Sequence, residues 1–375
     1  MKIVFTGGGT GGHVFPLVAT VREIRRIYTK TTQGVPLEFY YVGPKDELGL
    51  ILLSQEDFSI KTITAGKIRR YFSFQNIPDI LFKIPFGFLQ SFFLLLKLKP
   101  QMVFSKGGSG SIAVTYCARI LKIPVFIHES DVVPGMSNRM TSKWARKIYT
   151  SFPKTEYFDL DKVTVIGNPI RKELLEGDNK KAEELFHLTF QKPVILFLGG
   201  SQGAEAINDF VLLILNDLLH DFEVIHVCGR EKLKGAEDES QVVVEKDLEK
   251  YYHPVAFLEE EKLKHAYKAA DFIISRSGSG SIFEIAAVGK PSILVPLPSA
   301  AGNHQAKNAY VYAETGAALV IEQDNLTKNF FLEKFHSLFL HPETLKNMQE
   351  QALRFSKPFA AKALAREILE FFMIA

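Results

Sequence analysis

Cysteine is almost absent from this sequence: of 375 residues only Cys117 and Cys228 carry a thiol, far apart and without a partner motif. That pattern excludes a disulfide framework or a cysteine-based zinc site and suits a reducing compartment. An excess of one charge is lacking as well. Lysine and arginine number 45 against 42 aspartates and glutamates, a formal balance of +3, so the bulk composition gives no sign of a nucleic-acid partner and any basic patch must be local. No uninterrupted apolar run reaches the roughly 18 residues a membrane-spanning helix needs. The longest candidate, Ile84 to Leu96, has the length of a core or interfacial helix and lies between Lys83 and Lys97. A signal peptide is not expected, because Met1-Lys2-Ile3-Val4-Phe5-Thr6 runs straight into glycines without a long apolar segment or a small-residue cleavage site.

What is present is enough for two real cores, since 46% of the residues are apolar and two domains are the natural expectation at this length. Short β-rich runs alternate with longer helical patterns, the signature of parallel α/β sheets. Strands are predicted at Lys2–Thr6, Leu37–Val42, Met102–Ser105, Pro124–His128 and Lys147–Thr150, then at Pro193–Leu198, Glu223–Cys228, Asp271–Ser275 and Ser292–Val295. Gly167-Asn168-Pro169 forms a turn between the two series, so the first domain is taken to end at residue 168 and the second to run over 169–357. The hinge extends through the polar Glu176–Glu184 stretch.

Glycine clusters recur at equivalent places in the two series. Gly7–Gly12 and Gly107-Gly108-Ser109-Gly110 follow strands of the first half, and Gly199–Gly203 and Ser277-Gly278-Ser279-Gly280 follow strands of the second. This predicts two doubly wound domains with glycine turns at the carboxyl ends of their strands, where open α/β sheets bind ligands, and a cleft if the two edges face each other.

The first loop matches Gly-x-Gly-x-x-Gly, yet its second strand ends Tyr41-Val42-Gly43-Pro44 without the acidic residue a dinucleotide site uses on ribose. A nicotinamide enzyme is therefore disfavoured. The loop still offers close backbone approach and helix-start N–H groups suited to a phosphate. His13 follows it directly, with Pro16 expected in the same first helical turn. A helix N-terminus favours the neutral imidazole that a general base requires, while the plainer role is a histidine packing the loop. In the second half Ser201 and Gln202 occupy another turn before a helix, where a hydroxyl and N–H groups can hold a diphosphate, and Arg171 is placed to reach the same anion. Arg276 to Glu284, which includes Ser281, joins a glycine turn to a carboxylate able to accept both hydroxyls of a ribose. Asn303-His304-Gln305 gathers sugar-hydroxyl partners at the start of a further helix.

Asp159-Leu160-Asp161 spells a metal–diphosphate pattern but lies far from any glycine turn, and short acidic motifs match by accident. From Lys67 to Lys99, basic residues including Arg69 and Arg70 are interleaved with aromatics including Phe72 and Phe74. Such a stretch suits an anionic bilayer surface, and the competing reading is helix core. Both are accommodated if Phe92 and Phe93 point inward and the Phe72–Phe74 tip outward.

In order, Gly7–His13, His128-Glu129-Ser130-Asp131-x-x-Pro134-Gly135, Gly167-Asn168-Pro169-x-Arg171, Gly199–Ala204, Arg276–Glu284 and His304-Gln305 resemble the MurG family along essentially the whole chain. The resemblance implies a GT-B fold of two Rossmann-like domains, the first facing acceptor and membrane, the second holding the donor, with the helix over 358–375 packed back on the first. It implies inverting transfer of N-acetylglucosamine from UDP-N-acetylglucosamine to undecaprenyl-pyrophosphoryl-N-acetylmuramoyl-pentapeptide, in a β-1,4 linkage, without metal or other cofactor. The enzyme would be peripheral to the cytoplasmic face of the inner membrane, beside other cell-wall synthesis proteins.

By the same resemblance Thr10, Gly11 and Gly12 would lie against the donor sugar and diphosphate, and His13 would act as base. Arg171 and Ser201 would meet the diphosphate, Leu258 the uracil through its backbone, Glu284 the ribose and Gln305 the sugar hydroxyls. Asp131 stands where the family commonly has asparagine, changing a donor-sugar contact to acceptor only, and Lys106-Gly107-Gly108-Ser109 also departs from the usual loop. Another GT-B UDP-sugar enzyme, such as an epimerase, would share the fold, and a non-catalytic UDP-sugar sensor at the membrane is the reading from a different class.

Overall fold

A computed structural model describes residues 1–8, 11–31, 36–66, 79–153, 157–199 and 204–374. It divides into two compact units, one of Met1–Arg171 with Phe359–Ala375 and one of Lys172–Pro358.

The first unit is built on a parallel sheet of β1 (Lys2–Thr6), β2 (Glu38–Gly43), β3 (Ser59–Thr62), β4 (Met102–Ser105), β5 (Val125–Glu129), β6 (Lys147–Thr150) and β7 (Val163–Val165), in the order β3-β2-β1-β4-β5-β6-β7. Helices cover both faces, so the central strands are buried on both sides and read as continuous apolar runs. On one face α1 (Gly11–Thr31) turns the stripe Val14, Leu17, Val18, Val21 and Ile24 onto Phe5, Phe39 and Phe104. There it meets α14 (Ala360–Ile374), whose Leu364, Ala365, Ile368 and Leu369 complete the same core. Lys147 Nζ donates to Glu367 at 2.6 Å, and Phe371 packs edge-on against Phe126.

The other face is covered by α3 (Ile84–Leu98) and α4 (Ser111–Ile120); α2 (Glu47–Ser54) adds Leu53 to the α1 side, and α5 (Met136–Thr141) lies between β5 and β6. Helix α3 continues a π-helical turn, Asp79–Lys83, and Leu81–Leu98 forms an 18-residue helical run apolar enough by length and composition to cross a membrane. This corrects the expectation from uninterrupted apolar runs, because Lys83, Gln90, Ser91 and Lys97 interrupt the run without ending the helix. One side of α3 is docked: Gly87, Ser91 and Leu95 are buried, and a Cβ at Gly87 would come within 2.1 Å of the Thr64 carbonyl oxygen. On the other side Phe82, Phe86, Leu89, Phe93 and Leu96 are between 47% and 70% exposed, at spacings of four, three, four and three. Phe93 therefore lies outside, contrary to expectation, while Phe92 packs against the core.

The second unit repeats the plan with β8 (Val194–Leu198), β9 (Glu223–Val227), β10 (Tyr252–Val255), β11 (Phe272–Ser275), β12 (Ser292–Leu294) and β13 (Ala318–Val320), ordered β10-β9-β8-β11-β12-β13. Its helices are α6 (Asn179–Phe186), α7 (Glu205–Asp221), α8 (Leu233–Val243), α9 (Glu260–Ala269), α10 (Ser279–Ala287), α11 (His304–Ala313), α12 (Lys328–Phe339) and α13 (Pro342–Phe355). Phe222, Phe272, Phe331 and Phe335 stack and cross edge-on in its core. In each sheet the strand order reverses once, between β1 and β4 and between β8 and β11. Ligands of such sheets bind outside the carboxyl ends at those switch points.

Candidate active site

At the first switch point the turns after β1 and β4 touch backbone to backbone. Gly8 and Gly108 have φ of +136° and +92°, and a Cβ on Gly108 would lie 2.5 Å from the Gly8 carbonyl oxygen. The Tyr41 hydroxyl donates to the Gly7 carbonyl at 2.6 Å and pins the first turn from β2. Gly11 and Gly12 are the first residues of α1, where N–H groups have no intrahelical acceptor, and the half-buried His13 follows in that turn. Pro16 is the sixth residue of α1 rather than part of its first turn. Lacking an N–H, it also leaves the Gly12 carbonyl without its helical donor. Two residues beyond His13, Phe15 lies under the buried Arg171 guanidinium at 4.1 Å.

Beside these turns is a buried charged cluster that residue-by-residue reading missed. Lys106, at the end of β4, is 3% exposed, and its Nζ lies 2.7 Å from His128 Nδ1 and 3.4 Å from Asn168 Oδ1, with Ser130 Oγ as a third close partner. His128 Nε2 is 2.9 Å from the Gly167 carbonyl. A carbonyl can only accept, so Nε2 carries the proton, Nδ1 accepts, and Lys106 donates as an ammonium. Glu129 accepts from the N–H groups of Asp131 (3.0 Å) and Gly135 (3.1 Å) and from Asn138 Nδ2 (2.9 Å), the pattern of a carboxylate.

Burial pushes the Lys106 ammonium down to about 7, against the pull of Glu129 and Asp131, and pushes Glu129 up to about 7. Burial and the Lys106 charge hold His128 well below the usual imidazole range, hence neutral. The sequence signal was a His-Glu pair closing a wholly apolar strand, with a lysine placed directly between another such strand and two glycines.

At the second switch point Gly199 follows β8 and Arg276-Ser277-Gly278 follow β11. The Arg276 guanidinium donates to the carbonyls of Val295 and Pro296 and to Gln323 Oε1, fixing the segment after β12. Gly278 precedes α10, which carries Ser281 and Glu284. A Cβ at Gly278 or at Gly280 would meet no atom of the described residues within 4 Å. One Glu284 oxygen accepts from the buried Tyr267 hydroxyl at 2.9 Å, which orients the carboxylate. Gln305 is held at both ends: its Oε1 accepts from Leu297 N–H (3.0 Å), and its carbonyl accepts from the Ser277 hydroxyl (2.9 Å). His304 Nδ1 is turned to the Ala301 carbonyl at 2.8 Å. Leu258 is buried beyond β10, next to a depression of about 250 Å³ lined by Arg230, Ala256, Phe257, Glu259 and Lys262.

The structure thus gathers Gly11, Gly12, His13, Asp131 and Arg171 at the edge of the first sheet. Leu258, Ser281, Glu284, His304 and Gln305 sit at the edge of the second. Thr10, Ser201 and Gln202, and the membrane candidates Arg69, Arg70, Phe72 and Phe74, lie outside the described residues. Asp159 of the acidic triplet caps a short 3-10 turn by accepting from Asp161 N–H at 3.3 Å. Among the described residues no three His, Cys, Asp or Glu side chains gather as a metal site.

Residues 3–150 match the glycosyltransferase family 28 N-terminal domain and residues 194–364 its C-terminal domain. The chain is 35% identical over 358 residues to a UDP-N-acetylglucosamine–N-acetylmuramyl-(pentapeptide) pyrophosphoryl-undecaprenol N-acetylglucosamine transferase of Clostridium tetani, covering 94% of each chain. It is 37% identical over 349 residues to the protein of the same name from Legionella pneumophila, covering 92% of this chain and 91% of that one. In structure it is similar to the crystal structure of Acinetobacter baumannii MurG, with a TM-score of 0.74 and 25% identity over 98% of this chain and 99% of that chain. The UDP-GlcNAc 2-epimerase of Neisseria meningitidis, at 17% identity, shares the fold with a TM-score of 0.69 over 99% of this chain and all of the other. Two parallel-sheet units with these likenesses make a GT-B fold, and the chain belongs to the MurG family of glycosyltransferases.

Proposed function

We propose that this chain transfers N-acetylglucosamine from UDP-N-acetylglucosamine to the C4 hydroxyl of undecaprenyl-pyrophosphoryl-N-acetylmuramoyl-pentapeptide, inverting the anomeric centre. The observation that carries this is likeness to the named transferases over more than nine-tenths of the chain, with His13 intact at the first switch point. The epimerase likeness is one of fold alone.

In this reading His13 takes the acceptor proton while the start of α1 and Arg171 stabilise the charge that develops on the departing diphosphate. Glu284, oriented by Tyr267, accepts the ribose hydroxyls, and Gln305, held by Leu297, meets the sugar. Asp131 accepts from a donor-sugar hydroxyl. The second unit, Lys172–Pro358, holds most of the donor, and the first takes the acceptor. The test is transfer of labelled sugar to a lipid-linked muramoyl-pentapeptide in detergent with EDTA present. Labelled lipid and free UDP are expected, and donor binding without lipid product would overturn the reading.

The same reading places the enzyme peripherally on the cytoplasmic face of the membrane. The exposed stripe Phe82, Phe86, Leu89, Phe93 and Leu96 enters the headgroup zone, and Lys83, Lys97 and Lys99 meet anionic lipid. The docked side of α3 supports lying on the bilayer over crossing it, because crossing would strip Gly87, Ser91 and Leu95 from the core. Phe86→Ser with Phe93→Ser is expected to abolish sedimentation with anionic vesicles at low salt while leaving transfer to a soluble acceptor analogue unchanged. Undiminished vesicle binding would sink the surface assignment.

A further inference from the structure

The charged cluster behind the first switch point has no part in the chemistry proposed above, yet it joins the turns that carry two of its residues. Lys106 leaves β4, His128 and Ser130 belong to the end of β5 and its turn, and Gly167-Asn168 forms the turn leading to Arg171. All three segments converge on one nitrogen. Lys106 Nζ has three protons and three acceptors: His128 Nδ1 at 2.7 Å, Ser130 Oγ, and Asn168 Oδ1 at 3.4 Å. The Ser130 hydroxyl in turn donates to Asn168 Oδ1 at 3.3 Å, and His128 Nε2–H donates to the Gly167 carbonyl at 2.9 Å. The β5 turn is thereby bonded twice to Lys106, and the Gly167-Asn168 turn once to Lys106 and once each to His128 and Ser130; Lys106, His128 and Asn168 are each 3% exposed or less.

We infer that Lys106 is a positioning residue for the donor: its ammonium locks the Ser130–Asp131 turn to the Gly167–Arg171 turn and so sets where Asp131 and Arg171 stand. This rests on the proposed function, in which those two side chains meet the donor sugar and diphosphate. Lys106, 3% exposed, acts through these turns and not by touching substrate.

The direction of each bond supports this over a lysine buried for packing alone. A methylene chain ending in a methyl would fill the space but leave His128 Nδ1 without its donor and Asn168 Oδ1 with the Ser130 hydroxyl alone. Buried acceptors left in that state repack, and the two turns that supply them are the ones that would shift.

The test is donor binding and steady-state kinetics on the full chain, comparing wild type with Lys106→Met and with the milder Ser130→Ala. The latter removes one link and leaves the lysine its other two partners. Ser130→Ala is expected to raise the donor KM and the calorimetric Kd for UDP-N-acetylglucosamine about threefold or more, with the acceptor KM unchanged. Lys106→Met is expected to raise both donor constants at least tenfold. Combining Lys106→Met with Asp131→Ala should add little beyond the larger single effect, since both act through one contact.

A lysine needed only for stability would lower the active fraction, and so kcat, while leaving the donor constants of the folded enzyme where they were. That result overturns the inference. Should Lys106→Met fail to fold, Ser130→Ala alone decides. Donor binding by a wild type that shows no transfer would refute the proposed acceptor but still test Lys106 through Kd, and a wild type that does not bind the donor would refute both.

Discussion

The two sheet edges are built by different means. The first edge holds buried ionisable groups: Lys106 is bonded to His128, and Glu129, the next residue, accepts from Asp131, Gly135 and Asn138, beside glycines that the fold itself requires. The second edge holds a neutral buried imidazole. His226 lies between the Tyr252 hydroxyl (2.9 Å) and Asn208 Oδ1 (3.0 Å), and Asn208 passes the link on to the Cys228 carbonyl. In front of that edge a Cβ at Gly278 or Gly280 would meet no described atom. Glycine thus serves close backbone packing in one unit and open space in the other, and only substitution tells the two uses apart.

Four changes would break or sharpen that contrast. The largest effect is expected from His13→Ala at the first edge, a fall of roughly 10²–10⁴ in kcat/KM with the donor Kd nearly unchanged. Equal losses in turnover and donor affinity would make His13 a binding residue. The second concerns His226, whose imidazole burial lowers to about 4 from the ordinary 6.5. Because the folded value is depressed, the unfolded chain binds more protons between those pH values, and stability is lost as pH falls through that window. The loss approaches about 3 kcal/mol by pH 4. In His226→Gln the slope of stability against pH over that window should flatten, and an unchanged slope would place the acid sensitivity elsewhere.

Third, Gly108→Ala forces a side chain into positive φ and against the Gly8 carbonyl, at a cost of about 1–3 kcal/mol read as a lowered Tm. Smallest in stability is Gly280→Ala, within about 1 kcal/mol and on the favourable side, since it lies inside a helix with no neighbour to strike. Its donor KM should nevertheless rise several-fold. A fall in Tm without a change in KM would show that both edges use glycine in the same way.

The central strands were legible because burial on both faces leaves an unbroken apolar run, as in Val-Ile-Leu-Phe-Leu of β8. The edge strands were not: Ser59–Thr62 is mostly exposed, Tyr252–Val255 contains Pro254, and Ala318–Val320 is three residues long. The positions of His13, Arg171 and Glu284 just after glycine turns at the strand ends were legible in the sequence. The Lys106 cluster was not, because its partners come from three segments that only the strand order brings together. Asp-x-Asp was legible as letters, and the structure makes it a turn cap. The 18-residue helix was hidden for a related reason: counting unbroken apolar runs ignores that Gln90 and Ser91 lie toward the docked side, and that Lys83 and Lys97 sit near the two ends of a run whose average stays apolar.

The helix α14 closes the core of the first unit from the opposite end of the chain, packed against α1 with more than 300 residues between them. During synthesis, therefore, the unit that begins first is completed last. Lys172–Pro358 is contiguous and can fold as soon as it has emerged, whereas Val14, Leu17 and Phe126 wait with an uncovered apolar face until Leu364 and Phe371 arrive. Loop closure over that distance slows the last docking step. A chain whose helix α14 has not yet emerged would thus present a finished second unit beside an unfinished first one, a species for chaperones to hold and proteases to find.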